Sequence, residues 1–245
     1  MNEDKYPNPE DFTSRYEYSK STSRYHFDDF ADDDLNPPYK SIGRFIGDWQ
    51  GEISEMASDA YQNTYHNRMK SRVPYLDQLE TNDLVAMGLG IDHVLHNKSR
   101  KKLTPTFQRM LDFFCFDQTK PIKSAFHVQE PGQVFIKHID SCSASRGNSD
   151  SDDANYYFEH PELIARFLIA LEDWQLGHMF AYGNTYWKQW KAGDIVHHSW
   201  IDIPHSTANG SHVPRYTLQV TGYTTEQTNK IINANEPLNI QLEKP

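Results

Sequence analysis

The sequence predicts a mainly β fold of the sandwich or jelly-roll type, preceded by supporting helices. From residue 122 onward, short segments with strand-like alternation follow one another, separated by Gly- and Asn-containing turns and by no helical stretch. Such a series is typical of packed antiparallel sheets. Before that point, residues 47–120 carry apolar side chains at helical spacing. The predicted strands are 124–129, 134–140, 165–173, 177–183, 194–200 and 215–223.

A Pro-Gly turn separates the first two predicted strands. The connecting residues 130–133 read EPGQ, and a turn of this composition between two alternating segments favours an antiparallel hairpin. We therefore expect 124–129 and 134–140 to pair with each other.

Two apolar stripes predict the helices. Trp49, Ile53, Met56 and Ala60 are spaced so that one helix face carries all four. A second helix is predicted after Pro105, which suits a first helical turn. Its stripe consists of Phe107, Met110, Leu111 and Phe114. We expect both stripes to pack against a sheet.

Composition and charge exclude several classes of function. The chain has 245 residues and a net charge of -10, and its mean hydropathy is -0.77. This charge repels nucleic-acid phosphates, and no apolar run approaches the length of a membrane span, so we expect neither nucleic acid nor membrane as a partner. The two cysteines, Cys115 and Cys142, do not form a disulfide framework. A cytoplasmic location is expected.

A histidine and a carboxylate lie at the end of an apolar strand face. Because side chains alternate along a strand, His138 and Asp140 fall on the same face as Val134 and Ile136. Two imidazoles and one carboxylate on one face of an octahedron hold mononuclear iron and leave positions for substrate and oxygen. The pair His138 and Asp140 therefore predicts two ligands of an iron site.

The third ligand is expected to be His205. It follows Pro204 at the end of a strand-like run, ten residues before Arg215. The rival histidines are His178, His197, His198 and His212. His197 and His198 are adjacent, so they face opposite sides of their strand and one of them can point inward.

Arg215 and Thr217 share one face of the last predicted strand, while Tyr216, Leu218 and Val220 take the other. A guanidinium with a neighbouring hydroxyl is well suited to bind a carboxylate with two hydrogen bonds. Arg215 and Thr217 are therefore candidates for binding an acidic ligand, although Arg215 could instead pair with a neighbour on the sheet.

The ordered set His138-x-Asp140, His205 and Arg215-x-Thr217 resembles the Fe(II)- and 2-oxoglutarate-dependent dioxygenase superfamily, in its prolyl-hydroxylase-like branch. The segments WKAGDIVHHSW at 190–200 and PHSTANGSHVPRYTLQVTG at 204–222 are similar to the closing part of that branch. The resemblance implies a double-stranded β-helix core, with Fe(II) bound by the two histidines and Asp140.

The resemblance also implies the cofactors and the reaction. Arg215 and Thr217 would hold 2-oxoglutarate, and O2 would be consumed while succinate and CO2 are released. Hydroxylation of an amino-acid, peptide or small-molecule substrate is the implied outcome. Arg166, which matches an Arg that opens a strand in the prolyl-hydroxylase-like branch, and Gln129 are further candidates. A satisfied polar residue inside the barrel explains Gln129, Arg166 and also Thr217 nearly as well.

The chain is expected to form one domain. Residues 1–46 are expected to form an extended N-terminal arm, 47–121 a helical supporting segment and 122–223 the catalytic β-helix core. Residues 224–245 form a C-terminal tail without an assigned role. The Ser- and Asp-rich segment 141–157 is a candidate lid.

Two alternatives from other classes remain open on the sequence. A cupin-type dioxygenase would keep the histidine ligands but would not need Arg215 or 2-oxoglutarate. A non-catalytic β-sandwich binding module would need none of the ligands. The primary substrate and the oligomeric state do not follow from the sequence.

Overall fold

The computed structural model of the protein describes residues 37–62, 97–99, 101–138, 161–199 and 203–242. Most of the predicted arm, the candidate lid at 141–157 and Asp140 lie outside the described residues. The helices are α1 (Gln50–Gln62), α2 (Pro105–Phe113) and α3 (Glu226–Ile232), and a 3-10 turn spans Pro161–Leu163. The strands are β1 (Tyr39–Ile46), β2 (Asn97–Ser99), β3 (Lys123–Gln129), β4 (Val134–His138), β5 (Ile164–Ala170), β6 (His178–Tyr182), β7 (Thr185–Trp187), β8 (Asp194–His198), β9 (His205–Asn209), β10 (Arg215–Tyr223) and β11 (Leu238–Gln241).

The strands form two sheets whose pairing is that of a double-stranded β-helix. The large sheet has the order β11-β1-β8-β5-β10-β3-β2, and the small sheet has the order β4-β9-β6-β7. Within the core, β3 pairs with β10, β4 with β9, β5 with β8 and β6 with β7, each pair antiparallel. These nested pairs describe one long hairpin folded over into two facing sheets, which is the jelly-roll topology. The predicted fold class is confirmed.

The predicted hairpin between β3 and β4 is wrong. The two strands belong to different sheets, and β3 pairs with β10 while β4 pairs with β9. The turn at Pro131 and Gly132 therefore carries the chain from one sheet to the other. Pairing between strands distant in sequence overrides the local hairpin signal here, because each strand buries its apolar face only in its own sheet.

Several elements extend or refine the predicted organisation. The last eight residues of the predicted arm form β1, which is hydrogen-bonded within the large sheet to β8 and β11. The tail contains α3 and β11. His205 begins a strand rather than ending one, and β7 occupies a stretch expected to be a turn.

The main apolar core lies between the helices and the outer face of the large sheet. Trp49, Ile53, Met56 and Ala60 are all buried, as their spacing predicts. In the second stripe, Phe107, Met110 and Phe114 are fully buried and Leu111 is partly buried against the same core. Pro105 occupies the start of α2, as expected. The helices thus cover one face of the sheet and leave its other face toward the small sheet.

A second, smaller cluster lies between the two sheets and is rich in aromatic residues. Its buried members include Leu168, Phe180, Tyr182 and Trp187. Since apolar side chains fill only part of this space, polar residues line the remainder. Chemistry in this fold is therefore expected between the sheets.

Candidate active site

Strand β10 places polar side chains toward the small sheet. Arg215, Thr217 and Thr221 are each at most 6% exposed. Leu218 and Val220 point the other way into the helix-side core. The face assignment predicted for this strand is confirmed, and Arg215 and Thr217 lie on the inner face.

Two of the predicted metal ligands lie opposite each other. His138, the last residue of β4, has His205 as its Cα partner on β9, after a register irregularity that follows Phe135. Directly opposed residues on antiparallel strands are the closest cross-strand neighbours. The register thus brings together two positions that are far apart in the sequence. The side chain of His138 and all of Asp140 lie outside the described part of the chain.

The imidazole of His205 is buried and oriented by the backbone. Its Nδ1 is 3.0 Å from the carbonyl oxygen of Ile203, and since a carbonyl only accepts, Nδ1 carries the proton. In the neutral ring this leaves the lone pair on Nε2. A second hydrogen bond of this kind is how proteins orient histidine ligands of metals. A metal bound by this imidazole would therefore be bound through Nε2.

Tyr182 is in ring contact with four neighbouring side chains, one of which is His205. Its ring centroid lies 4.6 Å from that of His198, 5.2 Å from Tyr39, 5.0 Å from Phe180 and 6.2 Å from His205. The side chain is fully buried, and its hydroxyl has no hydrogen-bond partner among the described residues. Burial raises the pKa of Tyr182 well above its usual value. A buried neutral hydroxyl of this kind is available to a ligand.

Arg215 is buried without a carboxylate partner among the described residues. Its Nη1 donates to the carbonyl oxygen of Met179 at 2.7 Å and lies 3.5 Å from that of Ala208. Its Cζ lies 5.1 Å from the ring centroid of Phe180. Nε has no hydrogen-bond partner in the described residues, and none of their carboxylates forms an ion pair with Arg215. Burial lowers the pKa of Arg215 to about 9, so the group stays charged near neutral pH.

Gln129 lies beside Arg215. The two residues are Cα partners between β3 and β10. The side-chain Nε2 of Gln129 is 3.4 Å from the carbonyl oxygen of Thr207, and its Oε1 has no hydrogen-bond partner among the residues described. Gln129 thus contributes polar atoms to the Arg215 end of the interior.

Arg166 occupies the other end of the same face. It is the Cα partner of Thr221, and its Nε donates to Thr221 Oγ1 at 3.0 Å. Burial lowers the pKa of Arg166 to about 10. The two further candidates, Gln129 and Arg166, therefore lie at opposite ends of the inner face of the large sheet.

The four other candidate histidines occupy different parts of the fold. The Nε2 atom of His178 is 3.4 Å from the carbonyl oxygen of Val213. His197 packs against Phe167 on the helix side of the large sheet, and His212 is exposed. His198 is buried, and its ring centroid is 5.1 Å from that of His205. Of the adjacent pair, His198 is thus the one that points inward.

Two features of the site were missed in the sequence. Tyr182 shares a strand face with Phe180, and this alternation along β6 could have indicated an inward hydroxyl. The contact of His198 with His205 depends on strands in two different sheets, so no local pattern could have predicted it.

Within the described ranges, no group of three or more His, Cys, Asp or Glu side chains lies close enough to hold a metal ion. The described helices also include none that combines the length and apolar character needed to cross a membrane.

The chain is similar to known proteins in fold but not in sequence. No protein-family model matches the chain, and no curated protein matches it by sequence. Among solved structures, a prolyl-4-hydroxylase from Pseudomonas putida is 13% identical, covering 79% of this chain and 96% of that one with a TM-score of 0.42. The α-ketoglutarate-dependent epimerase SnoN from nogalamycin biosynthesis is 13% identical over 84% and 91%, with a TM-score of 0.42. A cupin barrel protein from Salinispora arenicola is 12% identical over 56% and 82%, with a TM-score of 0.29. The fold assignment rests on the strand pairing of this chain itself.

Proposed function

We propose that the protein is an Fe(II)- and 2-oxoglutarate-dependent oxygenase that hydroxylates an amino-acid, peptide or small-molecule substrate. The observation that carries the proposal is Arg215. A buried guanidinium with no ion pair to a described carboxylate is costly unless a ligand supplies the negative charge. A cupin-type site that works without 2-oxoglutarate gives no reason for such a residue.

The residues near His205 fit a metal of the proposed kind. The Nδ1 proton of His205 is donated to the carbonyl oxygen of Ile203, so the lone pair of the neutral ring is on Nε2. His138 is its cross-strand partner, and Asp140 follows two residues later. Two imidazoles and a carboxylate are the donor set preferred by non-haem Fe(II). His138, Asp140 and His205 would hold the ion.

The protein's own groups would orient and isolate the reactants. Bound iron, together with 2-oxoglutarate and O2, supplies the oxidising chemistry and yields succinate and CO2. Arg215 would bind the far carboxylate of 2-oxoglutarate, with the buried Thr217 as its neighbour on the same face. The aromatic wall of Phe180, Tyr182 and Trp187 keeps bulk water from this space.

The test is a direct comparison of oxygen consumption with and without 2-oxoglutarate. Purified protein loaded with Fe(II) is expected to consume O2 and form succinate in equal amounts, and only when 2-oxoglutarate is present. Calorimetry with Mn(II) in place of iron should show one 2-oxoglutarate bound per chain. Iron-dependent oxygen uptake that does not require 2-oxoglutarate would support the cupin-type alternative. Absence of both metal and 2-oxoglutarate binding would support a non-catalytic module.

A further inference from the structure

Tyr182 lies in the same cross-strand row as the two proposed histidine ligands. Within the small sheet, Tyr182 on β6 is the Cα partner of His205 on β9, and His205 is in turn the partner of His138 on β4. The ring centroids of Tyr182 and His205 are 6.2 Å apart. The tyrosine is therefore the next residue beyond His205 in the row where a metal is proposed.

The hydroxyl of Tyr182 is a buried donor. The side chain is fully buried, and its hydroxyl has no hydrogen-bond partner among the described residues. A phenol is protonated at neutral pH, so it can donate a hydrogen bond as well as accept one. Because an unpaired polar group inside a protein costs free energy, this hydroxyl is expected to have a partner when the site is occupied.

Arg215 lies at the other end of a short line of side chains. Its Cζ is 5.1 Å from the ring centroid of Phe180, and the Phe180 ring stacks on that of Tyr182 with centroids 5.0 Å apart. The strand register gives a similar separation, because Arg215 donates to the carbonyl oxygen of Met179, three residues before Tyr182 on β6. Three residues of strand span about 10 Å.

A five-carbon dicarboxylate has the length needed to contact both groups. Its carboxyl carbons are about 5 Å apart when the chain is extended, and a hydrogen bond at each end adds about 3 Å. Removing one methylene shortens the molecule by about 1.3 Å, which is enough to break a hydrogen bond at one end. The guanidinium and the hydroxyl would therefore select dicarboxylates by length.

We propose that Tyr182 is a second co-substrate-binding residue, whose hydroxyl donates a hydrogen bond to one carboxylate of a five-carbon dicarboxylate while Arg215 binds the other. Tyr182 and Arg215 together determine the length of the ligand and place one of its carboxylates beside the row of His138 and His205. The identity of the dicarboxylate as 2-oxoglutarate rests on the proposed function, whereas the selection by length requires no metal.

The test is calorimetric titration of the full-length protein with succinate, glutarate and adipate, which have four, five and six carbons. Metal is first removed with EDTA, so that it cannot bind either carboxylate. Wild-type protein should bind glutarate about tenfold more tightly than succinate, because only glutarate reaches both groups and a hydrogen bond to a charged group is worth about that factor. Adipate must bend to fit, and it should bind less tightly than glutarate.

Tyr182→Phe removes only the hydroxyl. It should weaken glutarate binding about tenfold, to the level of succinate, and should change succinate binding by less than about twofold. Arg215→Met should weaken the binding of all three acids. Tyr186→Phe is the matched control, because Tyr186 lies on the neighbouring strand β7 and is 47% exposed. It should leave all three affinities unchanged.

The series of acids separates a contact with the ligand from a structural effect. If Tyr182→Phe weakens the binding of all three acids by the same factor, the hydroxyl supports the fold rather than the ligand, and the inference is wrong. Equal affinities of the wild-type protein for succinate and glutarate, or no measurable binding of either, overturn the inference without any variant.

Failure of this inference and failure of the proposed function give different results. Succinate formation that accompanies 2-oxoglutarate-dependent oxygen uptake, together with glutarate binding that Tyr182→Phe does not change, supports the oxygenase and overturns the role of Tyr182. Length-selective glutarate binding that depends on Tyr182, in a protein that binds no metal, supports the role of Tyr182 and contradicts the oxygenase.

Discussion

His205 on β9 lies directly opposite His138 on β4 in the small sheet. The pairing joins the end of one strand to the beginning of another, so both histidines lie at the same end of the sheet. A register shift between Phe135 and His138 precedes this pair. Irregularities of this kind are frequent next to active sites, where they redirect side chains. The relationship is the structural basis for expecting a metal at this location.

We expect the protein to bind one Fe(II), or Mn(II) as a surrogate, per chain with octahedral nitrogen and oxygen ligation. Asp140→Ala removes the only charged ligand of the proposed set and should abolish tight binding. Metal content after dialysis, measured at equal metal concentration for both proteins, tests this.

His212→Ala is the control for metal binding, because His212 is exposed and lies outside the proposed set. It should bind as much metal as the wild type. His205→Ala should lose metal as Asp140→Ala does. Full metal occupancy in Asp140→Ala would remove the ligand assignment.

Stability is expected to fall in mild acid because of His178. Burial lowers its pKa from 6.5, and the charge of Arg215 acts in the same direction. Its Nδ1 accepts from the backbone N–H of Gln175 at 3.4 Å, a contact that only the neutral ring can make. As the pH falls below about 6.5, the unfolded chain takes up this proton before the folded chain does. The free energy of unfolding therefore decreases, by at most about 1.4 kcal/mol per pH unit for one proton.

Urea unfolding between about pH 7.5 and about pH 5.5 measures this dependence. His178→Gln should have a shallower slope than the wild type. A remaining slope is expected, since burial also lowers the pKa of His197. Identical slopes in the two proteins would show that His178 does not contribute.

Phe114 is expected to be a major contributor to the helix-side core. It is fully buried and stacks on Phe167 with ring centroids 4.1 Å apart. Phe114→Ala should reduce the free energy of unfolding by about 3–5 kcal/mol, because it removes apolar contacts and leaves a cavity. Leu176→Ala serves as the control, since Leu176 is 84% exposed, and should change stability by less than about 0.5 kcal/mol. A loss below about 1 kcal/mol in Phe114→Ala would mean that the core repacks around the gap.

Local sequence patterns were sufficient to predict an element and its buried face where the side chains alternate in polarity. The bounds of β10 and the inward direction of Arg215 and Thr217 followed from alternation alone. The helical stripes were likewise correct at Met56 and Phe107. In these elements a buried apolar face opposes a polar one, so the period is visible in the sequence.

Local sequence patterns failed to predict strands whose buried residues are polar and strand pairs whose members are far apart in the sequence. Strand β9 begins with His205 and ends with Asn209, both buried, so its inward face looks like a polar turn. The Pro-Gly turn before β4 suggested a hairpin because nothing local reports that β10 and β9 are the true partners. Polar buried faces are expected at functional sites, where local rules are broken for chemistry.

Arg215 separates the proposed oxygenase from a cupin-type enzyme. Arg215→Met keeps roughly the same bulk but removes a charged contact to the far carboxylate of 2-oxoglutarate in a poorly hydrated space. Loss of such a contact, with the anion left buried, costs about 2–5 kcal/mol, so 2-oxoglutarate should bind roughly thirtyfold more weakly or worse. Metal binding should be unchanged, because Arg215 is not one of the proposed ligands.

Arg215→Met is therefore expected to affect 2-oxoglutarate binding but not metal binding. Iron loading is normal, and succinate formation recovers only at very high 2-oxoglutarate. Calorimetric titration of the Mn(II)-loaded proteins measures the Kd for 2-oxoglutarate, and Arg109→Met provides a matched arginine outside the interior. If Arg215→Met and wild type bind 2-oxoglutarate with the same Kd, Arg215 does not bind the co-substrate. The 2-oxoglutarate assignment would then lose its main support, since that buried guanidinium is the feature that a cupin-type site does not require.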